Sequence, residues 1–184
     1  MKLIPLFTLE APLCAIEDPG ARTTEVCPGC GRGKRTQTGI LSAALVCGKR
    51  GIWLTDANAI LADQELKGRL EVLSGIELHP ARLRWEEDIP GRSEVQPAVV
   101  QLRARHAIHA APQNVEEEDC VCGSVRRISF SPLVVLPPSE ASAAAWYLAE
   151  SPEALIISKP LRDLLATRDS DLEFAEVEYD TSRA

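Results

Sequence analysis

The chain has 184 residues, 45% of them hydrophobic and 26% charged, which is typical of a folded globular protein and excludes a disordered or fibrous chain. Its net charge of −7 disfavours a protein that grips nucleic-acid backbones and favours a basic protein partner. The sequence has neither the ~18 consecutive apolar residues of a membrane-spanning helix nor a signal-peptide pattern, so we expect a cytoplasmic protein.

The first part of the chain alternates apolar segments with a long polar one. Leu3 to Leu9 predicts an opening strand, and the apolar run from Leu41 to Val46 predicts a buried segment. Between them, residues 18–39 are rich in Gly, Thr, Arg and Pro and predict a loop region, because they offer little apolar surface for packing. Apolar residues then recur at a helical period up to a Ser-Gly stop signal, which predicts a helix over residues 56–74.

The remainder of the chain mixes strand and helix patterns. Residues 78–85 predict a strand, and residues 98–110 alternate apolar and polar side chains as a half-buried strand does. The C-terminal region predicts a strand over 128–136, an Ala-rich helix over 140–150, a strand over 155–157, a helix over 159–168 and an edge-type strand over 172–179. These elements predict one α+β domain over residues 1–184, with a mixed or antiparallel sheet, two or three helices and an α/β tail over 128–180.

A turn with the form C-P-x-C-G is the strongest chemical signal in the sequence. It reads Cys27-Pro28-Gly29-Cys30-Gly31. Zinc is bound tetrahedrally with Zn–S distances of about 2.3 Å, so two sulfurs on one ion lie about 3.8 Å apart. A two-residue spacer lets one tight turn deliver both thiolates, with proline setting φ at its start and glycine accepting a positive φ after it. The pattern predicts one half of a zinc site, near residues 25–35.

A second cysteine pair, Cys120-Val121-Cys122-Gly123, is the natural source of the other two ligands. Its spacer is one residue, and three interpretations stay open. The halves form a zinc-ribbon-like site with a large insertion, the second half lying near 118–125. Alternatively, only one of these cysteines binds, and Cys14, Cys47 or a histidine completes the shell. In the third interpretation the second half has decayed and its thiols are spare.

Catalytic motifs are missing from the sequence. There is no nucleophile elbow, phosphate-binding loop, dinucleotide fingerprint or metalloprotease motif. His106 and His109 have opposite parity on the predicted strand, and with His79 they are expected to be ordinary histidines. A zinc ion with four cysteine ligands has a closed shell and is structural, so we expect no enzyme activity. A redox C-x-x-C is disfavoured, because a loop-like Gly31 to Arg35 follows instead of a helix.

Two acidic runs offer a surface to a basic partner. They consist of Glu86, Glu87 and Asp88, and of Glu116, Glu117, Glu118 and Asp119. Each also has a simpler interpretation as a solvated turn or loop. We expect these seven side chains to be candidate contacts for a positively charged protein.

The order of these motifs resembles a known family. The two cysteine turns are followed by Leu155-Ile156-Ile157-Ser158, a Leu-rich helix, and the pattern Phe174-x-x-Val177. This layout is similar to the double-CxxCG motif family of myxobacteria, whose members are regarded as immunity proteins of toxin–immunity pairs. The second turn departs from the family pattern, since it reads C-x-C-G.

The resemblance implies a small protein that binds and neutralises a cognate protein toxin, with no catalysis of its own. Its structural Zn²⁺ would be held by Cys27, Cys30, Cys120 and Cys122. The alternative hypothesis is a zinc-ribbon adaptor or nucleic-acid-binding module, with the basic Gly31 to Arg35 segment and Arg126-Arg127 as its footprint. The negative net charge disfavours that alternative.

Overall fold

The computed structural model describes residues 4–10, 13–46, 51–85, 98–117, 120, 122, 125–130 and 132–180. Within these residues the chain forms sixteen strands, two α-helices and one short 3-10 helix, Pro112–Asn114. The strands of the N-terminal part are β1 (Leu6–Glu10), β2 (Leu13–Glu17), β3 (Arg22–Val26), β4 (Gly33–Gln37), β5 (Leu41–Leu45), β6 (Ile52–Thr55) and β7 (Ile60–Asp63). After helix α1 (Gln64–Leu70) come β8 (Ile76–Trp85), β9 (Ala98–Ala104), β10 (His106–Ile108), β11 (Val115–Glu117), β12 (Val125–Ile128), β13 (Val134–Val135), β14 (Ala145–Leu148) and β15 (Ser151–Ser158). Helix α2 (Lys159–Arg168) and β16 (Glu173–Tyr179) end the chain.

Six strands close into a barrel in the order β2-β5-β8-β9-β7-β6. Strand β2 closes the barrel by pairing with β5 on one side and β6 on the other. Large apolar side chains fill its interior, among them Leu41, Leu45, Trp53, Leu61 and Leu83. A barrel of this kind has no open sheet edge along its wall, because each strand has two neighbours.

A second sheet of six strands has the order β10-β14-β15-β1-β16-β13. Its two faces serve two separate cores, because successive side chains of a strand point to opposite faces. Phe7 and Ile157 belong to the core that also contains the two helices and one side of the barrel wall. Leu6 and Ile156 belong to the core on the other face, where Trp146 is fully buried.

Two hairpins, β3-β4 and β11-β12, lie outside both sheets. The β3-β4 pair is in regular antiparallel register from Arg22↔Gln37 to Val26↔Gly33. Most of its side chains are exposed. The cysteine turns lie in the connections of these hairpins, and this position brings them together.

The predicted α+β class is wrong, and so is the idea that a zinc-ribbon-like staple organises it. The fold is mainly β, built on a closed barrel and a second sheet with two helices beside them. Two predicted helices account for much of the error. Residues 60–63 of the predicted helix 56–74 form β7, and only Gln64–Leu70 is helical. The helix begins there because the Asp63 side chain accepts a hydrogen bond from the Leu66 backbone N–H and caps it.

The predicted helix over 140–150 is the other error. Ala145–Leu148 is strand β14, between β10 and β15. Its Ala-rich sequence favours a helix, but pairing on both edges and burial of Ala145 and Trp146 on opposite faces override that propensity. Tertiary contacts therefore decided this element.

Other predicted elements have different bounds or a different structure. The 98–110 strand is interrupted at Arg105 between β9 and β10. The predicted strand over 128–136 is largely wrong, since among its described residues only Ile128, the last residue of β12, and Val134–Val135, which form β13, are in strands. Strand β16 is not an edge, since it lies between β1 and β13. The loop expected over 18–39 contains the β3-β4 hairpin.

Several predicted elements are confirmed. The opening strand, the strand over 78–85 and the strand that contains residues 155–157 are present. The segment from Leu41 to Leu45 is largely buried, as expected, and forms strand β5. Helix α2 has the predicted bounds, with Pro160 in its first turn and Leu161, Leu164 and Leu165 buried. Among the residues that the structure describes, no helix is long and apolar enough to cross a membrane.

Candidate metal centre

The two cysteine turns meet at one point. One sulfur from each of Cys27, Cys30, Cys120 and Cys122 lies within 4.8 Å of all the others. The Sγ atoms of Cys27 and Cys120 are 3.6 Å apart, as are those of Cys30 and Cys122. These separations are close to the ~3.8 Å expected for sulfurs around one tetrahedral metal ion. The four cysteines could therefore hold a metal ion.

The first turn is shaped to present its sulfurs. Its base is closed by the Cys27 N–H, which donates to the Arg32 carbonyl at 2.8 Å, and by the Gly31 N–H, which donates to the Cys27 carbonyl at 2.8 Å. Gly31 has φ of 72°, a value that an L side chain adopts at a cost. A Cβ atom at Gly29 would lie 3.4 Å from the Sγ of Cys120, an ordinary van der Waals contact, so the second turn packs directly against the first.

Backbone donors stabilise the charged form of the first sulfur. The N–H groups of Cys30 and Gly29 point at the Cys27 sulfur and hold the pKa of that thiol below its ordinary value. A lowered thiol pKa suits a metal ligand, because the thiolate is the species that binds.

The opposite shift at Cys120 reports the crowding of four sulfurs. The Cys122 N–H lowers the pKa of Cys120, but the thiols of Cys122, Cys27 and Cys30 outweigh it and raise the pKa to about 12. Four thiolates cannot share this space without a cation, since like charges repel. Metal binding must release protons from this cluster, so the apparent metal affinity falls as the pH is lowered.

The donor set restricts the chemistry of the ion. Four soft sulfur ligands in tetrahedral proximity select zinc or iron rather than magnesium or calcium. With four protein ligands the shell is closed, which is the arrangement of a structural site rather than a catalytic one. None of the described cysteines forms a disulfide.

The alternative ligands lie elsewhere. Cys14 is 2% exposed and belongs to the barrel core. Cys47 is outside the described residues. His79 is paired with Glu77 at 3.2 Å, and His109 Nδ1 lies 2.9 Å from Glu150 Oε1. Neither histidine joins the cysteine cluster, so the interpretation with two cysteine turns matches the geometry best.

This chain has no match among protein-family models or curated protein sequences. The geometry and chemistry of its own residues therefore have to support any functional assignment.

The hairpin that bears the first turn is held at its base by a charged network. Arg22 of β3 donates to both oxygens of Glu17, at 2.7 and 3.0 Å, and the Thr55 hydroxyl donates to Glu17 at 2.8 Å. The Glu17 carboxylate holds the pKa of Arg22 above its usual range. The side chains of Glu17 and Arg22 are only 7% and 16% exposed. Sequence analysis missed this network, because its members are far apart in the chain and follow no motif.

Two of the seven acidic candidate contacts, Glu116 and Glu117, are among the described residues. Glu116 lies on β11 with an exposed side chain. The backbone of Glu117 is also part of β11. The other five residues, Glu86, Glu87, Asp88, Glu118 and Asp119, lie outside the described residues.

Proposed function

We propose that this protein is an immunity protein, which binds a cognate bacterial toxin and blocks its action, and that a structural zinc ion joins its two cysteine turns. The observation that carries the proposal is the convergence of the C-P-x-C-G and C-x-C-G turns on one cluster. This pair of turns, together with the C-terminal pattern over residues 128–180, carries the resemblance to the double-CxxCG motif immunity family. The alternative, a zinc-ribbon adaptor or nucleic-acid-binding module, is disfavoured by the net charge of −7.

Zinc is proposed because four cysteines are its common structural ligand set. In this role the ion is not part of a reaction. It would join residues 27–30 to residues 120–122 and so fix the position of the β3-β4 hairpin, most of whose side chains are exposed. Its contribution to toxin binding is to order the surface around the cluster.

Neutralisation would occur by occlusion of the toxin's working surface. The net charge of −7 favours encounter with a basic protein, since complementary charge accelerates association and selects partners. Glu116, on β11 next to the second cysteine turn, is the candidate contact whose side chain the structure shows to be exposed.

A matrix of gene deletions in the bacterium that encodes the protein tests this function. We expect deletion of this gene to stop growth while the toxin gene is intact, and to be harmless once the toxin gene is also removed. A plasmid copy of the gene should restore growth of the single deletion. Normal growth of the single deletion under conditions where the toxin is produced would contradict the proposal.

A further inference from the structure

The β3-β4 hairpin has an open strand edge. Among the residues that the structure describes it is a two-stranded sheet, in which each strand pairs only with the other. The Thr38 N–H donates to the Ala21 carbonyl and the Cys27 N–H donates to the Arg32 carbonyl, both in the register of the hairpin. Because antiparallel pairs alternate between bonded and non-bonded, the backbone groups of Gly33, Arg35 and Gln37 point away from β3.

A groove runs along this edge. All five residues of β4 line two adjoining depressions of about 1560 and 380 Å³, whereas β3 contributes Arg22, Glu25 and Val26. Pro152 and Glu153, at the start of β15, line both depressions from the opposite side. Ligand pockets for small molecules measure roughly 300–1,000 Å³, so the larger depression suits an extended chain better than a compact ligand.

The charge of the groove favours an acidic occupant. Lys34 and Arg35 are exposed, and neither forms an ion pair with another residue that the structure describes. The acids on the opposite wall already have partners. Glu153 lies 3.4 Å from Arg22, and Glu150 accepts from the Ala110 N–H and pairs with His109.

We propose that β4 binds an extended acidic segment of a partner protein by strand addition. The partner's backbone would pair with the outward groups of Gly33, Arg35 and Gln37. Lys34 and Arg35 point to opposite faces of β4, so a carboxylate on either face of the partner strand would meet one of the two cations. Strand addition takes affinity from backbone hydrogen bonds and specificity from alternate side chains. The inference does not rest on the partner being a toxin.

A nucleic acid fits this edge less well. Proteins that bind single strands stack successive bases on several aromatic side chains, and Tyr147 is the one Phe, Trp or Tyr among the described residues that line the two depressions. An unpaired β edge, in contrast, is a feature that a peptide backbone can complete.

Fluorescence anisotropy with synthetic peptides tests the proposal. The probe is an end-blocked, labelled peptide of about eight residues that alternates Glu and Thr, long enough to span β4. Two further probes carry backbone N-methyl groups on every Glu or on every Thr. We expect the unmodified peptide and one methylated peptide to bind and the other to fail, because alternate N–H groups of an added strand face β4.

Charge reversal supplies the second part of the test. We expect Lys34→Glu combined with Arg35→Glu to weaken binding of the acidic peptide by about tenfold or more. The matched control is Lys67→Glu with Arg69→Glu on α1, which makes the same change of charge away from the groove and should leave binding unchanged. Circular dichroism and metal content of each variant confirm that the fold is retained.

Three outcomes would overturn the proposal. Equal binding of the two methylated peptides would show attraction by charge without strand pairing. Absence of binding, or binding that survives charge reversal in β4, would remove the edge as a site. Tighter, Lys34- and Arg35-dependent binding of an oligothymidylate would assign the groove to nucleic acid instead.

Discussion

The barrel and the β3-β4 hairpin are both made of strands, but different forces hold them. In barrel strand β5, four of the five residues are buried, whereas in β3 and β4 eight of the ten are exposed. The barrel is stabilised by removal of apolar side chains from water. An isolated two-stranded hairpin is marginal in water, so this one depends on what is attached at its two ends.

The attachments are chemically distinct. At the base, Arg22 bonds to Glu17 on the barrel strand β2. At the tip, Cys27 and Cys30 meet the two cysteines of the second turn. Ion pairs and metal ligands can therefore replace a hydrophobic core in a segment that buries few of its side chains. Loss of metal should then loosen the hairpins and leave the barrel folded.

The largest expected effect is that of breaking the cysteine cluster. Cys27→Ser or Cys120→Ser should reduce the bound zinc from about one ion per chain to almost none, because each removes one of four ligands. Hydrogen exchange should then show rapid exchange at Cys27 and Arg32 amides and continued protection in β5 and β7. Elemental analysis of protein purified without added metal measures the zinc.

Cys14→Ala is the matched control for these variants. It removes a thiol from the barrel core rather than from the cluster, so zinc should stay at the parent level. Absence of zinc in the parent protein, or its persistence in both serine variants, would contradict the assignment of the four ligands.

A substitution in the hydrophobic core should lower the stability of the fold and leave the zinc content unchanged. Trp146 is fully buried in the second sheet, and Trp146→Ala should lower the free energy of unfolding by about 3–5 kcal/mol, since it leaves a large cavity. Zinc content of the folded fraction should be unchanged. Urea denaturation measures the free energy of unfolding, and parallel metal analysis measures the zinc. A loss of zinc from protein that is still folded would contradict the independence of the core and the cysteine cluster.

The smallest expected effect concerns the base of the hairpin. Glu17→Gln should cost about 1–3 kcal/mol, because it removes the charged acceptor from the largely buried Arg22. Glu71→Gln on α1, whose ion pair with Lys67 is solvent-exposed, is the control and should cost less than about 0.5 kcal/mol. If the two substitutions cost the same, the Arg22–Glu17 pair does not anchor the hairpin.

Local patterns were enough for some elements and not for others. Helix α2 was predictable because Pro160 suits its first turn and its leucines recur on one face. The predicted helix over 56–74 failed because Ile60–Asp63 forms a strand between two antiparallel neighbours. One of them, β6, comes just before it in the chain, and the other, β9, is distant in sequence. For the same reason Ala145–Leu148 became a central strand.

The sequence by itself determined the chemistry of the candidate site. Two cysteine pairs with glycine after each specify tight turns and thiol ligands, because spacers of one or two residues act locally. Tertiary contacts place each turn between the two strands of a hairpin and keep Cys14 in the barrel core, away from the cluster. They also leave one edge of β4 unpaired among the described residues. Those features depend on strand pairing across the whole chain, which local spacing does not encode.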